Sequence, residues 1–314
     1  IGLYLVKKMA EKLDIEVIAD SVENKYTITI NADRLLLYGC KFNSVKGAIY
    51  CNYLDTTDFS KQVNIITKCE FTNCESTGNG GAIYVMTYNP SYDIQITDSL
   101  FENCQATDGG AIHIITPKGT IQNCRFVKNV AKGNGNDISF TSVLAISFSV
   151  TNCNFNVDSN LGKSMLYINV NDQYNFHFVN NAITIENQNT NYHLFDSMAD
   201  SFNGVLEFSG NCMTPSEDKN VIKGSKAQNL NIDLENDFGS CQNSFEPVVP
   251  EEQEVIDETK CHSNDRCQFE EKETKAIYVI IKVTEFNDIS KSDLNGGALS
   301  ITNAGLKCDQ MYSF

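Results

Sequence analysis

One short block recurs along this chain, and the repetition limits it to few folds. Gly80-Gly81-Ala82-Ile83-Tyr84 returns as Gly109-Gly110-Ala111-Ile112-His113 and as Gly296-Gly297-Ala298-Leu299-Ser300. A shorter form stands at Gly47-Ala48-Ile49-Tyr50. Before most copies lies a second block, Cys69-Glu70-Phe71-Thr72-Asn73-Cys74 in one of them. Self-similarity at a fixed period marks a repeat architecture, in which each unit buries its apolar face against its neighbours.

The apolar residue of the phenylalanine block sets the period. These anchors are Phe42, Phe71, Phe101, Phe126, Phe155, Ile183, Met213 and, after a gap, Phe286. The first seven are separated by 29, 30, 25, 29, 28 and 30 residues. Two residues before them stand Cys40, Cys69, Ser99, Cys124, Cys153, Asn181, Asn211 and Thr284. Five before stand Leu37, Ile66, Ile96, Ile121, Val150, Phe178, Phe208 and Ile281. Seven before, most copies are apolar again, with Asn64 and Gly119 as exceptions. Steps of two are strand alternation, and the step of three implies a bend or bulge.

The glycine block also alternates. Ile83 and Val85, Ile112 and Ile114, Ile138 and Phe140, and Leu166 and Ile168 share one parity. Between the blocks lie Gly, Asn, Ser, Thr and Asp, which supply turns and tolerate left-handed backbone. The repeats hold no helical periodicity, which excludes ankyrin, tetratricopeptide and helix-containing leucine-rich arrays, and propeller blades need about 40 residues or more. The expected fold is therefore all-β, a parallel β-helix with coils of about 25–30 residues. Its inward side chains would form ladders of like residues.

Composition narrows function. A net charge of −16 argues against nucleic acid, which needs a basic face, and against anionic lipid. No apolar run approaches the ~20 residues of a membrane span. The chain starts at Ile1 with no basic, then apolar, leader, and its last repeat breaks off early, which reads as a segment of something longer. Of twelve cysteines, Cys40, Cys69, Cys124 and Cys153 hold one repeat position that Ser99 and Asn181 also fill. They are expected to be buried, reduced packing residues, because parallel side-chain vectors disfavour bridging in-register neighbours. Cys74 and Cys104 form a second repeated pair that could be bridged. No His follows at ligand spacing, so no metal or cofactor site is expected.

In chain order, residues 1–234 are expected to be β-helix coils behind a short capping helix over 1–14, where Val6, Met9 and Leu13 make a stripe. Stretches 52–62, 86–92 and 187–204 read as surface loops, and 228–234 as the close of the seventh coil. Over 235–275 the pattern stops in favour of Pro247, Pro250 and many acidic residues, a linker or a loop pinned around Cys241, Cys261 and Cys267. The coil resumes over 276–314.

Gly-Gly-Ala-Ile blocks alternating with Phe71-Thr72-Asn73-Cys74, Phe101-Glu102-Asn103-Cys104 and Phe126-Val127-Lys128-Asn129 resemble the polymorphic outer-membrane protein repeat. Gly135-Asn136-Asp137-Ile138 looks like a variant of the first motif. The resemblance covers about residues 35–140 and 279–301. It implies a right-handed, pectin-lyase-like β-helix at the cell surface or outside the cell, with adhesion or host contact as its role, and it does not imply an enzyme.

The same fold hosts polysaccharide lyases and glycosidases, so an enzyme is the first alternative. Such enzymes need calcium-binding acid clusters with a base, or paired carboxylates. Asp93 with Asp98, or Asp55 with Asp58, are the nearest to a calcium pair. Arg34, Arg125 and Arg266 have no recognisable catalytic setting, and no catalytic residue is assigned. A spacer rod is the second alternative. The candidate contact face comes from parity: with Ile83 and Val85 inward, Tyr84 faces out, as do Tyr50, His113, Ser139 and Tyr167. An exposed ladder of rings would suit a host-surface glycan chain or a partner protein.

Overall fold

The computed structural model describes residues 28–30, 34–53, 62–89, 92–142, 146–170, 174–187, 189, 191–197, 205–214, 238–241, 278–282, 285–287 and 299–301. The expected N-terminal helix, the stretch 228–234, Asp55, Asp58, Cys261 and Cys267 lie outside them. Every strand pair is parallel, and the strands form three stacked sheets of eight, eight and nine strands, plus a two-stranded pair. The fold is a parallel β-solenoid. Among the described residues there is no helix, and none long and apolar enough to cross a membrane.

One coil shows the plan. Ile83–Thr87 belongs to the first sheet, Tyr92–Thr97 to the second and Leu100–Glu102 to the third. The chain then returns to the first sheet at Ile112–Ile115. Each strand pairs with its counterpart one coil on, so sequence columns become physical columns. Phe42, Phe71, Phe101, Phe126 and Phe155 stack in register and are fully buried. Their ring centroids lie 4.8–5.0 Å apart with planes within 11° of parallel. Ile183 and Met213 continue the column.

The step of three is a corner between two sheets. One residue there takes left-handed backbone in each coil: Gly39, Lys68, Asp98, Asn123, Asn152, Asn180 and Gly210, with φ of 49–65°. Gly, Asn and Asp are the residues that tolerate this region, which explains six of the seven. The next residue points inward and needs both hydrogen-bonding functions. Ser99 Oγ donates to the Thr97 carbonyl and accepts from the Cys69 N–H, at 2.7 and 3.1 Å. Cys153 Sγ donates to Thr151 O while Cys124 N–H points at its sulfur. Asn181 Oδ1 accepts from Cys153 N–H at 2.8 Å. Cys, Ser and Asn interchange because each is small, donates and accepts. The column is thus a hydrogen-bonding ladder as well as packing.

The glycine pairs have two separate causes. Gly109 has φ of 63°, a left-handed corner, and a Cβ at Gly110 would stand 2.3 Å from the Asn136 carbonyl of the next coil. Gly119, an exception in the apolar column, leaves room for Phe148, whose ring would lie 2.6 Å from an added Cβ. Asn64, the other exception, is fully buried.

Five expectations change. Within 187–204, His193–Ser197 is a strand of the first sheet, with Leu194 and Phe195 buried. Phe238–Ser240 adds a ninth strand to the third sheet, so the pattern runs past 235. Cys241 bridges to Cys212, one coil back. Cys74 and Cys104 are buried thiols, as are Cys40, Cys69, Cys124 and Cys153. Each donates its thiol to backbone carbonyls, for Cys104 those of Phe71 and Glu102. The resumed coil is also displaced from its place in the chain order. Leu299–Ile301, Tyr278–Lys282 and Glu285–Asn287 pair with Ile28–Ile30, Arg34–Tyr38 and Lys41–Asn43, at the N-terminal end of the rod.

Candidate functional site

The outward column of the first sheet runs Tyr50, Tyr84, His113, Ser139, Tyr167 and Asp196, each in register with the next. Alternation places it: Ile83 and Val85, or Ile112 and Ile114, take the core side. The rings of Tyr50 and Tyr84 stack at 5.0 Å, and His113 meets Tyr84 edge-on at 5.2 Å. Tyr84 Oη donates to Met86 Sδ at 3.5 Å.

The column is outward but not uniformly exposed. Tyr50 and Tyr84 are half-buried. His113 is 5 % exposed, Ser139 1 % and Tyr167 9 %, so the expectation of an exposed ladder fails at those three residues. Parity sets direction, while coverage depends on neighbours. In-register side chains lie about 4.8 Å apart along the sheet. A short side chain such as Ser139 is therefore overlapped by His113 and Tyr167 on either side. Burial holds the His113 imidazole down to about 4, with the nearby Asp108 carboxylate pulling the other way. His113 is thus neutral at pH 7. Its Nδ1 and the Ser139 Oγ are buried without a hydrogen-bond partner. The Tyr167 phenol is raised by burial, then by Asp196 and Asp108.

A second outward column was missed. Met86 and Ile115 lie opposite each other two residues past Tyr84 and His113, and both are half-buried. Tyr88, just beyond the strand, is 40 % exposed. The signal was the same parity, read two residues further along. Among the described residues, Tyr50, Tyr84, Met86 and Ile115 are the half-buried aromatic and apolar side chains of this face, with the exposed Tyr88 just past its edge.

The calcium candidates are engaged singly. Asp93 pairs with Lys118 at 3.6 Å, and Asp98 accepts from Asn123 Nδ2 at 3.1 Å. Among the described residues, no three His, Cys, Asp or Glu side chains gather as a metal ion would need.

A buried polar cluster also went unread. Asp137 occupies the position of Ala111, and Asn129 that of Cys104. Asn129 Nδ2 donates to Asp137 Oδ1 at 2.8 Å, and both residues are buried. Asn136 Nδ2 donates to Leu161 O and to Tyr192 Oη, and Tyr192 is 1 % exposed. Burial pushes the Asp137 carboxyl up to about 7, against the Asn129 hydrogen bond that lowers it. The two substitutions fall in one coil on adjoining columns, so each supplies the other's partner. The chain matches no family model, no curated protein and no solved structure, which leaves these residues to carry the functional reading.

Proposed function

We propose that this β-solenoid is a contact module of a cell-surface or secreted protein, acting in adhesion through the outer face of its first sheet. The observation that carries the reading is the strip Tyr50, Tyr84, Met86, Ile115 and Tyr88, aromatic and apolar on a rigid sheet. Rings of this kind give contact area with little side-chain entropy to lose. The net charge of −16 favours neutral sugars or partners with positive charge over sulfated glycans. Membership of the polymorphic outer-membrane protein repeat family fits the corner glycines at Gly80 and Gly109 and the left-handed asparagines Asn73 and Asn103.

The test replaces Tyr50, Tyr84 and Tyr88 together by Ser. None is fully buried, so the melting curve should keep its cooperative shape. Binding to host cells or to a glycan array should fall to background. Binding equal to the parent's, with the fold intact, would remove this face from the adhesive role. One observation favours the spacer rod instead: among the described large apolar side chains, only Tyr88 and Leu161 are exposed. Under that reading the triple variant binds as the parent does.

A further inference from the structure

Three neighbouring side chains of the first sheet, His113, Ser139 and Tyr167, point outward and are buried all the same. Among their polar atoms, His113 Nδ1 and Ser139 Oγ have no hydrogen-bond partner. A buried polar atom left unsatisfied is costly, and two of them side by side mark a place where something else bonds. We propose that this place takes the ammonium group of a lysine on a partner protein, held between Asp108, Ser139 and His113. The proposal rests on the adhesive reading of this face and names the chemistry of its partner.

Asp108 supplies the charge. It stands in the turn that leads into the strand Ile112–Ile115. Burial is the main influence on the His113 ring and on the Tyr167 phenol, and the Asp108 carboxylate acts on both as well. Those two residues lie one coil to either side of Ser139, so Asp108 stands over the serine. Backbone groups fix it there. Its carbonyl accepts from Gly80 N–H at 2.9 Å, and its Oδ1 accepts from Asn134 N–H at 2.8 Å. Gly133 clears the space, since an added Cβ would stand 2.3 Å from that same oxygen. Among the described residues no lysine or arginine pairs with Asp108. Asp196, in register with Tyr167, adds a second negative charge at the far end.

These acceptors suit an ammonium, which carries three donors and no acceptor. The carboxylate, the serine hydroxyl and the neutral imidazole offer lone pairs from a turn and two adjacent strands. With its proton on Nε2, the His113 ring presents Nδ1 as the acceptor. An arginine fork wants both oxygens of one carboxylate, and one Asp108 oxygen already holds Asn134. A metal ion is a poorer match, because among the described residues no three His, Cys, Asp or Glu side chains gather. Nor are the groups set as a nucleophilic triad, for the Ser139 hydroxyl makes no bond to the imidazole that would take its proton. The rings beside the site favour a protein over a free polyamine. Tyr84 meets His113 edge-on at 5.2 Å, and Met86 and Ile115 follow along the strands. The apolar stem of a lysine lies along such a surface while its head is bound, and the chain that carries it covers the rest.

The test uses the folded chain and an acetylated, amidated peptide of one lysine flanked by glycines. The readout is the His113 ring in nuclear magnetic resonance, identified as the histidine signal lost in His113→Gln while the remaining ones stay. The lysine peptide should shift this signal in a saturable way, and the same peptide with uncharged acetyl-lysine should not. Asp108→Asn keeps an oxygen for the Asn134 N–H and removes the charge. It should melt as the parent does and bind at least about tenfold more weakly. Ser139→Ala deletes a buried hydroxyl that has no partner, so it should not lower stability, yet it should weaken binding several-fold. All of this is read on the isolated chain, so a failure here is distinct from a failure of the tyrosine test on cells. No shift beyond that of the acetyl-lysine peptide, or parent-like binding by either folded variant, overturns the proposal. An arginine peptide or spermidine that binds more tightly than the lysine peptide overturns the choice of lysine.

Discussion

Two aromatic ladders run along this rod, and they differ in a way that separates packing from surface. The inner one, Phe42 to Phe155, repeats a single residue type, with planes within 11° of parallel. The outer one, Tyr50 to Tyr167, changes residue at nearly every coil, and its ring angles run from 28° to 73°. An inner ring is confined by the rings above and below and by the other two sheets, so only one size and orientation fills the space. The outer rings at Tyr50 and Tyr84 are only half-buried and so less confined. Identity down an aromatic column is therefore a mark of core, whereas variation by itself marks neither core nor surface, since the inward Cys/Ser/Asn column varies too.

The largest effect should come from breaking the inner ladder. Phe101→Ala opens a cavity between Phe71 and Phe126, which the sheet hydrogen bonds hold in place, and should cost about 3–5 kcal/mol in urea unfolding. A loss below about 1 kcal/mol would mean the column can collapse, and that its regularity is not a packing constraint.

Asp137 sharpens the comparison, because it puts a titratable group inside. Its folded-state value of about 7 lies above the ordinary 3.8, so the folded chain holds this proton more tightly than the unfolded chain does. The group's contribution is complete below the ordinary value and is lost as pH rises through about 7. The loss approaches about 1.4 kcal/mol per pH unit within that window. Asp137→Asn should remove this slope, so that parent and variant diverge in urea midpoint as pH rises from 4 to 7. Parallel pH profiles would show that the carboxyl is not held neutral inside.

The smallest effect belongs to the outer ladder. Tyr84→Ser removes one half-buried ring and should lower stability by about 1 kcal/mol or less. A loss comparable to that of Phe101→Ala would make this column a second core.

The coil plan was legible because the repeat aligns the same residue type in every coil, and stacking turns that alignment into contact. Phe42 to Phe155 needed nothing more. Coverage was not legible: His113 has the parity of an outward residue, yet its neighbours bury it. Nor was the place of the last coil, since Phe286 fits the period equally well after Met213 or before Phe42, and only the strand pairing tells the ends apart. The strand His193–Ser197 has no glycine just before it, unlike the strands that begin at Ile49, Ile83, Ile112, Ile138 and Ser164. Asn129 read as part of the phenylalanine motif and Asp137 as part of a variant glycine motif, and the hydrogen bond that joins them exists only in three dimensions.

The left-handed corners also decide where this rod can change length. Between the second and third sheets the chain turns in two residues, as at Lys68-Cys69, Asp98-Ser99, Asn123-Cys124 and Asn152-Cys153. Between the first and second sheets the gap varies, from Tyr53 to Gln62 in one coil to Ile115 to Lys118 in another. A foreign peptide grafted between Tyr53 and Gln62 leaves the register on both sides untouched. One residue added between Asn123 and Cys124 turns Phe126 out of its column and swings its neighbours in. Along one edge the rod is a frame that accepts passengers, and along the other a spine that accepts none.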